Sequence, residues 1–176
     1  MKTKWKDFVK EKCGSIEKDL IGHRFENREL LIRALTRNAV LNGQPPYPEM
    51  KTIGSQEGLD TFGNTILEFI IVDHFSKRKG RKRKDLYTPD SLTRLQEFYG
   101  NNKALHRFAK ESMGLQKYVI WGKDETARKI WEGSRTTVLA DCFEALLGAV
   151  YIDKGMKGMM KFINKIKFFK NMGKPE

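Results

Sequence analysis

Two pairs of residues carry the chemistry this sequence can offer. Asp60 and Asn64 stand four apart, and Asp141 and Glu144 three apart. On a helix, either spacing places both side chains on one face. Asp141 and Glu144 lie in VLADCFEALLGAVY, where nearly every other residue is apolar. A carboxylate in such a helix is costly unless it is paired or bound to a cation. Two such helices packed face to face would converge three carboxylates and one amide. That is a set of hard oxygen donors, suited to Mg²⁺. The competing reading pairs Asp141 and Glu144 with an arginine such as Arg94 or Arg135. Most other acidic residues sit beside Lys or Arg and read as solvated surface.

Helices are needed to position these pairs, and the pattern supplies them. Leu30, Leu31, Ala34 and Leu35 form one apolar stripe over 27–36, with Asn27 as N-cap. Residues 42–58 hold three of the five prolines and read as a loop. A long helix is expected over 57–76. Thr88-Pro89-Asp90 reads as a helix start, with the proline at the first helical position. Gly100-Asn101-Asn102 interrupts that helix, and a shorter one follows. Residues 116–122 fit either a strand or a loop. Residues 138–152 read as a buried helix, and the stretch beyond Gly155 as an amphipathic one. The fold class is all-α.

Composition narrows the function. With 34 Lys and Arg against 22 Asp and Glu, the 176 residues carry a net charge of +12. A strongly basic chain of single-domain length points to a polyanion partner. Seven of those positive charges fall in one block, KRKGRKRK at 77–84. No apolar run approaches the ~18 residues of a membrane span, and the N-terminus lacks the apolar core of a signal peptide. Cys13 and Cys142 suit a reducing compartment such as the cytoplasm. His23, His74 and His106 are scattered and read as structural.

Four segments, in order, resemble the nuclease domain of the ribonuclease III family. IGHRFENRELLIRALT (21–36) resembles the family's opening helices. GLDTFGNTILEF (58–69) resembles its signature helix, usually written ERLEFLGDAVLE. SLTRLQEFYGNNKALHRFA (91–109) resembles a third block, and VLADCFEALLGAVYIDKG (138–155) matches the second acidic helix almost residue for residue. The resemblance implies a homodimeric, all-α endonuclease that cleaves double-stranded RNA with Mg²⁺, or Mn²⁺ in its place, leaving 5′-phosphate ends. It implies that Asp60, Asn64, Asp141 and Glu144 form the catalytic and metal site, with Glu57 as a further ligand. It makes Lys77, Arg78, Lys79, Arg81, Lys82, Arg83 and Lys84 the candidate RNA-binding run.

The sequence departs from the family pattern at several of these positions. Asn64 stands where the family has Asp, and Asp60 where it has Glu. Thr61 replaces a Phe that helps lock the family's dimer. Arg37 and Asn38 replace the usual His-Arg or His-Ser. A weakened nuclease, a natural pseudo-nuclease and an introduced Asp→Asn change all remain open, although the change at Arg37 and Asn38 favours natural divergence. The alternative functions are an inactive RNA-binding protein and a subunit of a heterodimer or ribonucleoprotein. The expected organisation is an extension over 1–19, the nuclease domain over 20–155, and a basic, apolar helix or tail over 156–176. The 21 residues after Gly155 are too few for a double-stranded RNA-binding domain.

Overall fold

The computed structural model describes residues 2–76, 88–133 and 136–174. The basic block at 77–84 and Arg135 lie outside the described residues.

Helices α5 (Leu59–Ser76) and α9 (Val138–Lys165) cross at the centre and make the most extensive helix–helix contact. They meet backbone to backbone because glycine faces glycine. A Cβ on Gly63 would stand 1.8 Å from the Glu144 carbonyl oxygen, and one on Gly148 2.6 Å from that of Leu59. No larger residue fits either place. Between 138 and 150, Asp141 alone escapes burial. A helix apolar on all sides belongs at the centre of a bundle, with other helices packed round it.

Those other helices start where their caps dictate. Before α2 (Arg28–Leu35), the Asn27 side chain accepts from the backbone N–H groups of Glu29 and Leu30, as the sequence predicts. Before α6 (Pro89–Tyr99), Thr88 accepts from Ser91 N–H, with Pro89 at the first helical position. Asn101 caps α7 (Asn102–Arg107) in the same way. Each cap satisfies backbone donors that the first helical turn leaves open.

The structure resolves the sequence reading in three places. The proline-rich stretch 42–58 is not all loop, because Glu49–Ile53 forms α4 and buries Met50. Pro48 immediately precedes it with φ −56°, and a proline at a helix start loses no hydrogen bond. Residues 116–122 form no strand. A short 3-10 turn (Leu115–Lys117) leads to one isolated parallel bridge between Thr36 and Ile120. The expected helices over 138–152 and beyond Gly155 are both present, and they meet within α9 at a kink at Gly155, whose φ of 60° and ψ of −168° only glycine adopts readily.

Helix α1 (Lys2–Ile16) and a π turn (Glu17–Ile21) pack on the same core and bury Trp5, Cys13, Ile16 and Ile21. The buried Glu17 carboxylate pairs with Arg28 and accepts from Phe25 N–H at 3.0 Å. Asp153 of α9 accepts from the backbone N–H groups of Glu26 and Asn27 at 2.9–3.1 Å. That acid therefore fixes the entrance of α2 and is not available for chemistry. Short helices α3 (Asn38–Asn42), α8 (Lys123–Ala127) and α10 (Phe168–Asn171) complete the described structure. Among the described residues, no helix is long and apolar enough to cross a membrane.

Substituting Gly63→Ala should force the two central helices apart. Overpacking of this kind costs about 3 kcal/mol. Urea denaturation of the variant against the parent measures it, and an unchanged midpoint would mean that the crossing yields more easily than its geometry implies.

Candidate functional site

The helix crossing places the two acidic pairs together. Asp60 and Asn64 flank Gly63 on α5, while Glu144 is the residue whose carbonyl Gly63 touches. The Glu144 side chain is only 7% exposed, and among the described residues it has neither a hydrogen bond nor an ion pair. Burial, and then the negative charges of Asp141, Asp60 and Glu68, push its carboxyl up to about 7. Burial also raises Asp141, assisted by Asp60 and opposed by Arg37. Both shifts have the cause expected of anions removed from water and crowded by their own kind.

Four carboxylates therefore act on one another here: Asp60, Glu68, Asp141 and Glu144. Glu68 was not among the residues singled out from the sequence. Its signal was its spacing, four residues beyond Asn64 on the same helix face. The Asn64 amide donates to Glu68 Oε1 at 3.3 Å. Asp60 serves partly as a helix cap, since its Oδ1 accepts from the backbone N–H groups of Gly58 (3.0 Å) and Thr61 (2.6 Å). Gly58, at φ 80°, sets the start of α5 at Leu59, two residues later than expected. Glu57 stands apart on the loop before α5, where it accepts from Asn38 Nδ2 at 2.6 Å. It is not among the charges that raise Glu144.

Among the described residues, the arginine beside the acids is Arg37 and not the Arg94 that the sequence offered. Arg37 Nη1 lies 3.8 Å from Asp141 Oδ2, and its Nε donates to Glu125 Oε1 at 3.2 Å. Arg94 makes no ion pair with Asp141 or Glu144 among the described residues. His106 is structural. Its Nδ1 accepts from Leu139 N–H and its Nε2 faces Trp131 O, both at 3.2 Å, which anchors the first turn of α9 two residues before Asp141. Cys142 is fully buried, and burial pushes its thiol up to about 12, far from the nucleophilic range.

The donor chemistry fits a hard divalent cation, because every candidate ligand is an oxygen. An ion would offset both the burial and the neighbouring negative charge that raise the Glu144 carboxyl. The coordination shell is not closed, however. Among the described residues, no three His, Cys, Asp or Glu side chains stand close enough to enclose an ion. Asp60 and Asn64 instead make hydrogen bonds along their own helix, to Gly58 and Thr61 and to Glu68.

Comparison with known proteins matches the fold and the order of these motifs. A family model described as ribonuclease-III-like matches residues 27–170. Ribonuclease 3 of Streptococcus agalactiae is 30% identical over 158 residues, covering 90% of this chain and 64% of that protein. Ribonuclease 3 of Shouchella clausii is 32% identical over 149 residues, covering 84% and 52%. The chain thus spans between about half and two thirds of the length of these relatives. A nuclease domain of ribonuclease III from Campylobacter jejuni, described as flexible in the region involved in dimer formation, superposes with a TM-score of 0.69 and 20% identity. That match covers 92% of this chain and 99% of that one.

The elevated Glu144 carboxyl has a measurable consequence. It binds its proton in the folded protein up to about pH 7, against 4.5 ordinarily. Its contribution to stability is therefore complete below pH 4.5 and is lost as pH rises through 7. In chelator, Glu144→Gln should gain stability relative to the parent across that window, by up to roughly 3 kcal/mol. Urea midpoints from pH 4.5 to 8 test this, and a constant difference would place the proton elsewhere.

Proposed function

The chain belongs to the ribonuclease-III-like family, and we propose that it is a divalent-cation-dependent endoribonuclease acting on double-stranded RNA as a homodimer. The observation that carries the reading is the buried, unpaired Glu144 on the central helix, with Asp141, Asp60 and Glu68 around it. Keeping that group charged is costly unless a cation joins it.

Glu144 and Asp141 would hold Mg²⁺ or Mn²⁺, with Asp60 and the carbonyl oxygen of Asn64 turning in to join them. Such an ion would supply a water of lowered pKa and neutralise phosphate charge, and attack of that water on phosphorus with loss of the 3′ oxygen would leave a 5′-phosphate and a 3′-hydroxyl. The protein's own contribution is placement. His106 holds the start of α9, and the glycine crossing sets the separation of the two acidic helices. Asn64 brings an oxygen without a charge, and Asp60 must leave its helix cap to reach an ion. Both features reduce the rate, because catalysis is sensitive to small displacements of its ligands.

Asn64 also supports a second reading, in which the fold binds RNA or a partner subunit without cutting. In either case the basic run Lys77, Arg78, Lys79, Arg81, Lys82, Arg83 and Lys84 is proposed to contact phosphates. Such contacts are independent of sequence and weaken with salt. Two free, buried thiols, Cys13 and Cys142, suit a reducing, cytoplasmic setting.

The dimer surface is proposed on the outer face of the crossing. Phe62 and Phe69, seven apart on α5, are 38% and 53% exposed, and Ile152 on α9 is 55% exposed. Tyr151 packs edge-on against Phe62 with ring centres 5.7 Å apart. These are the large exposed apolar side chains among the described residues. A second copy would cover them and bring two acidic sites onto one particle. Phe69→Lys should convert a dimer to a monomer by light scattering, and a parent that is monomeric at all concentrations overturns this assignment.

The decisive assay uses long duplex RNA with Mg²⁺ or Mn²⁺. The parent should produce 5′-phosphate ends, and Glu144→Ala should lose at least ~100-fold in rate, as expected for losing a metal ligand and its charge. Asn64→Asp should be faster than the parent by about tenfold or more. Silence from all three, with RNA still bound, would establish the non-enzymatic reading.

A further inference from the structure

Arg37 introduces a positive charge into the acidic cluster, and the structure holds it there by several independent contacts. The chain leaves α2 at Thr36, whose hydroxyl donates to Ile32 O at 2.7 Å. The bridge to Ile120 follows, with Arg37 N–H donating to Ile120 O at 3.1 Å. The side chain is 19% exposed and that of its partner, Glu125, only 13%. Glu125 is itself fixed, because its Oε2 accepts from Gly122 N–H at 2.9 Å. The Arg37 head is thus anchored on Glu125, and it presents its charge to Asp141 at 3.8 Å. That separation is too long for a hydrogen bond but short enough for strong attraction.

This arrangement steers Asp141 without occupying it. The Asp141 oxygens remain available to an ion, while the guanidinium cannot move away. An arriving divalent cation therefore meets a fixed like charge. We propose that Arg37 is a positioning residue of the acidic site, a built-in cation that restrains the Asp141 carboxylate and lowers the affinity of the cluster for its divalent ion. The inference rests on the cation-dependent reading of the site given above. It exchanges tightness of ion binding for a fixed direction of one ligand.

The consequence is an unusual pair of signs. Removing the charge should tighten ion binding, because two like charges within about 6 Å oppose one another by on the order of tenfold in affinity even with water-like screening. Removing it should also slow turnover, because Asp141 loses its orientation. A merely structural arginine would weaken ion binding and turnover together.

The test is a Mn²⁺ titration of the full chain, followed by the electron paramagnetic resonance signal of free Mn²⁺, with duplex RNA cleavage measured alongside. Arg37→Gln should bind Mn²⁺ about tenfold more tightly and cleave about tenfold more slowly. Arg37→Lys keeps the charge and should bind Mn²⁺ within about threefold of the parent. Arg37→Met also removes the charge while keeping an apolar stem, and should move both quantities in the same direction as Arg37→Gln. It carries the test if Arg37→Gln does not fold, as judged by circular dichroism. Unchanged or weaker Mn²⁺ binding in a folded Arg37→Gln or Arg37→Met variant overturns the proposal while leaving the cation site standing. A parent that binds no Mn²⁺ overturns both.

Discussion

The close approach of α5 and α9 at Gly63 and Gly148 is the constraint on which the rest depends. Backbone contact at a helix crossing requires the absence of a side chain at the contact, and here each helix supplies one glycine. The approach brings Asp60 and Asn64 up against Asp141 and Glu144. It also surrounds α9 with other helices, so that its acids sit in a region of low polarity. A wider crossing would relieve the acids and disperse them at the same time.

Stability and chemistry oppose each other at this crossing. Glu144 has no protein partner among the described residues, and three other carboxylates act on it. In folding terms the group is a liability, offset by the apolar packing along the rest of α9. The liability has a direction, because among the described residues the charges acting on Glu144 are all negative. A protein built only for stability would fill such a position with leucine or pair it closely with arginine. The Glu17 and Arg28 pair shows this protein doing the latter where no chemistry is proposed. Asp153, hydrogen-bonded to the loop before α2, is a third use of an acid on the same elements.

Local structure explains how the departures at residues 60 and 64 act. Asp60, with its short side chain, reaches the open N–H groups at the start of α5 and caps that helix. Asn64 can donate, and so it joins Glu68 where a carboxylate would repel it. Both substitutions favour bonds within α5 over a cluster turned toward α9. Arg37 acts in the same sense from the other side by adding positive charge near Asp141. The three changes together make the acidic site less negative and less closed than the family pattern.

The longer helices from α2 onward, their caps and the two acidic pairs are legible in the residue types alone. These depend on residue types a few positions apart, such as Asn27 with α2, Thr88 with Pro89, and Asp141 with Glu144. The short α4 escaped notice because proline density marks a loop, whereas a proline just before a helix is compatible with it. Only the tertiary structure decided which residues act across the crossing. Glu68 joined the cluster, Glu57 met Asn38 instead, and Arg37 stands next to Asp141 where the sequence offered Arg94, the other candidate, Arg135, lying outside the described residues. Arg37 and Asp141 are more than a hundred positions apart in the chain, and Glu125 lies between them. Local patterning holds no record of such distances, because burial and charge at the site are properties of the packed helices.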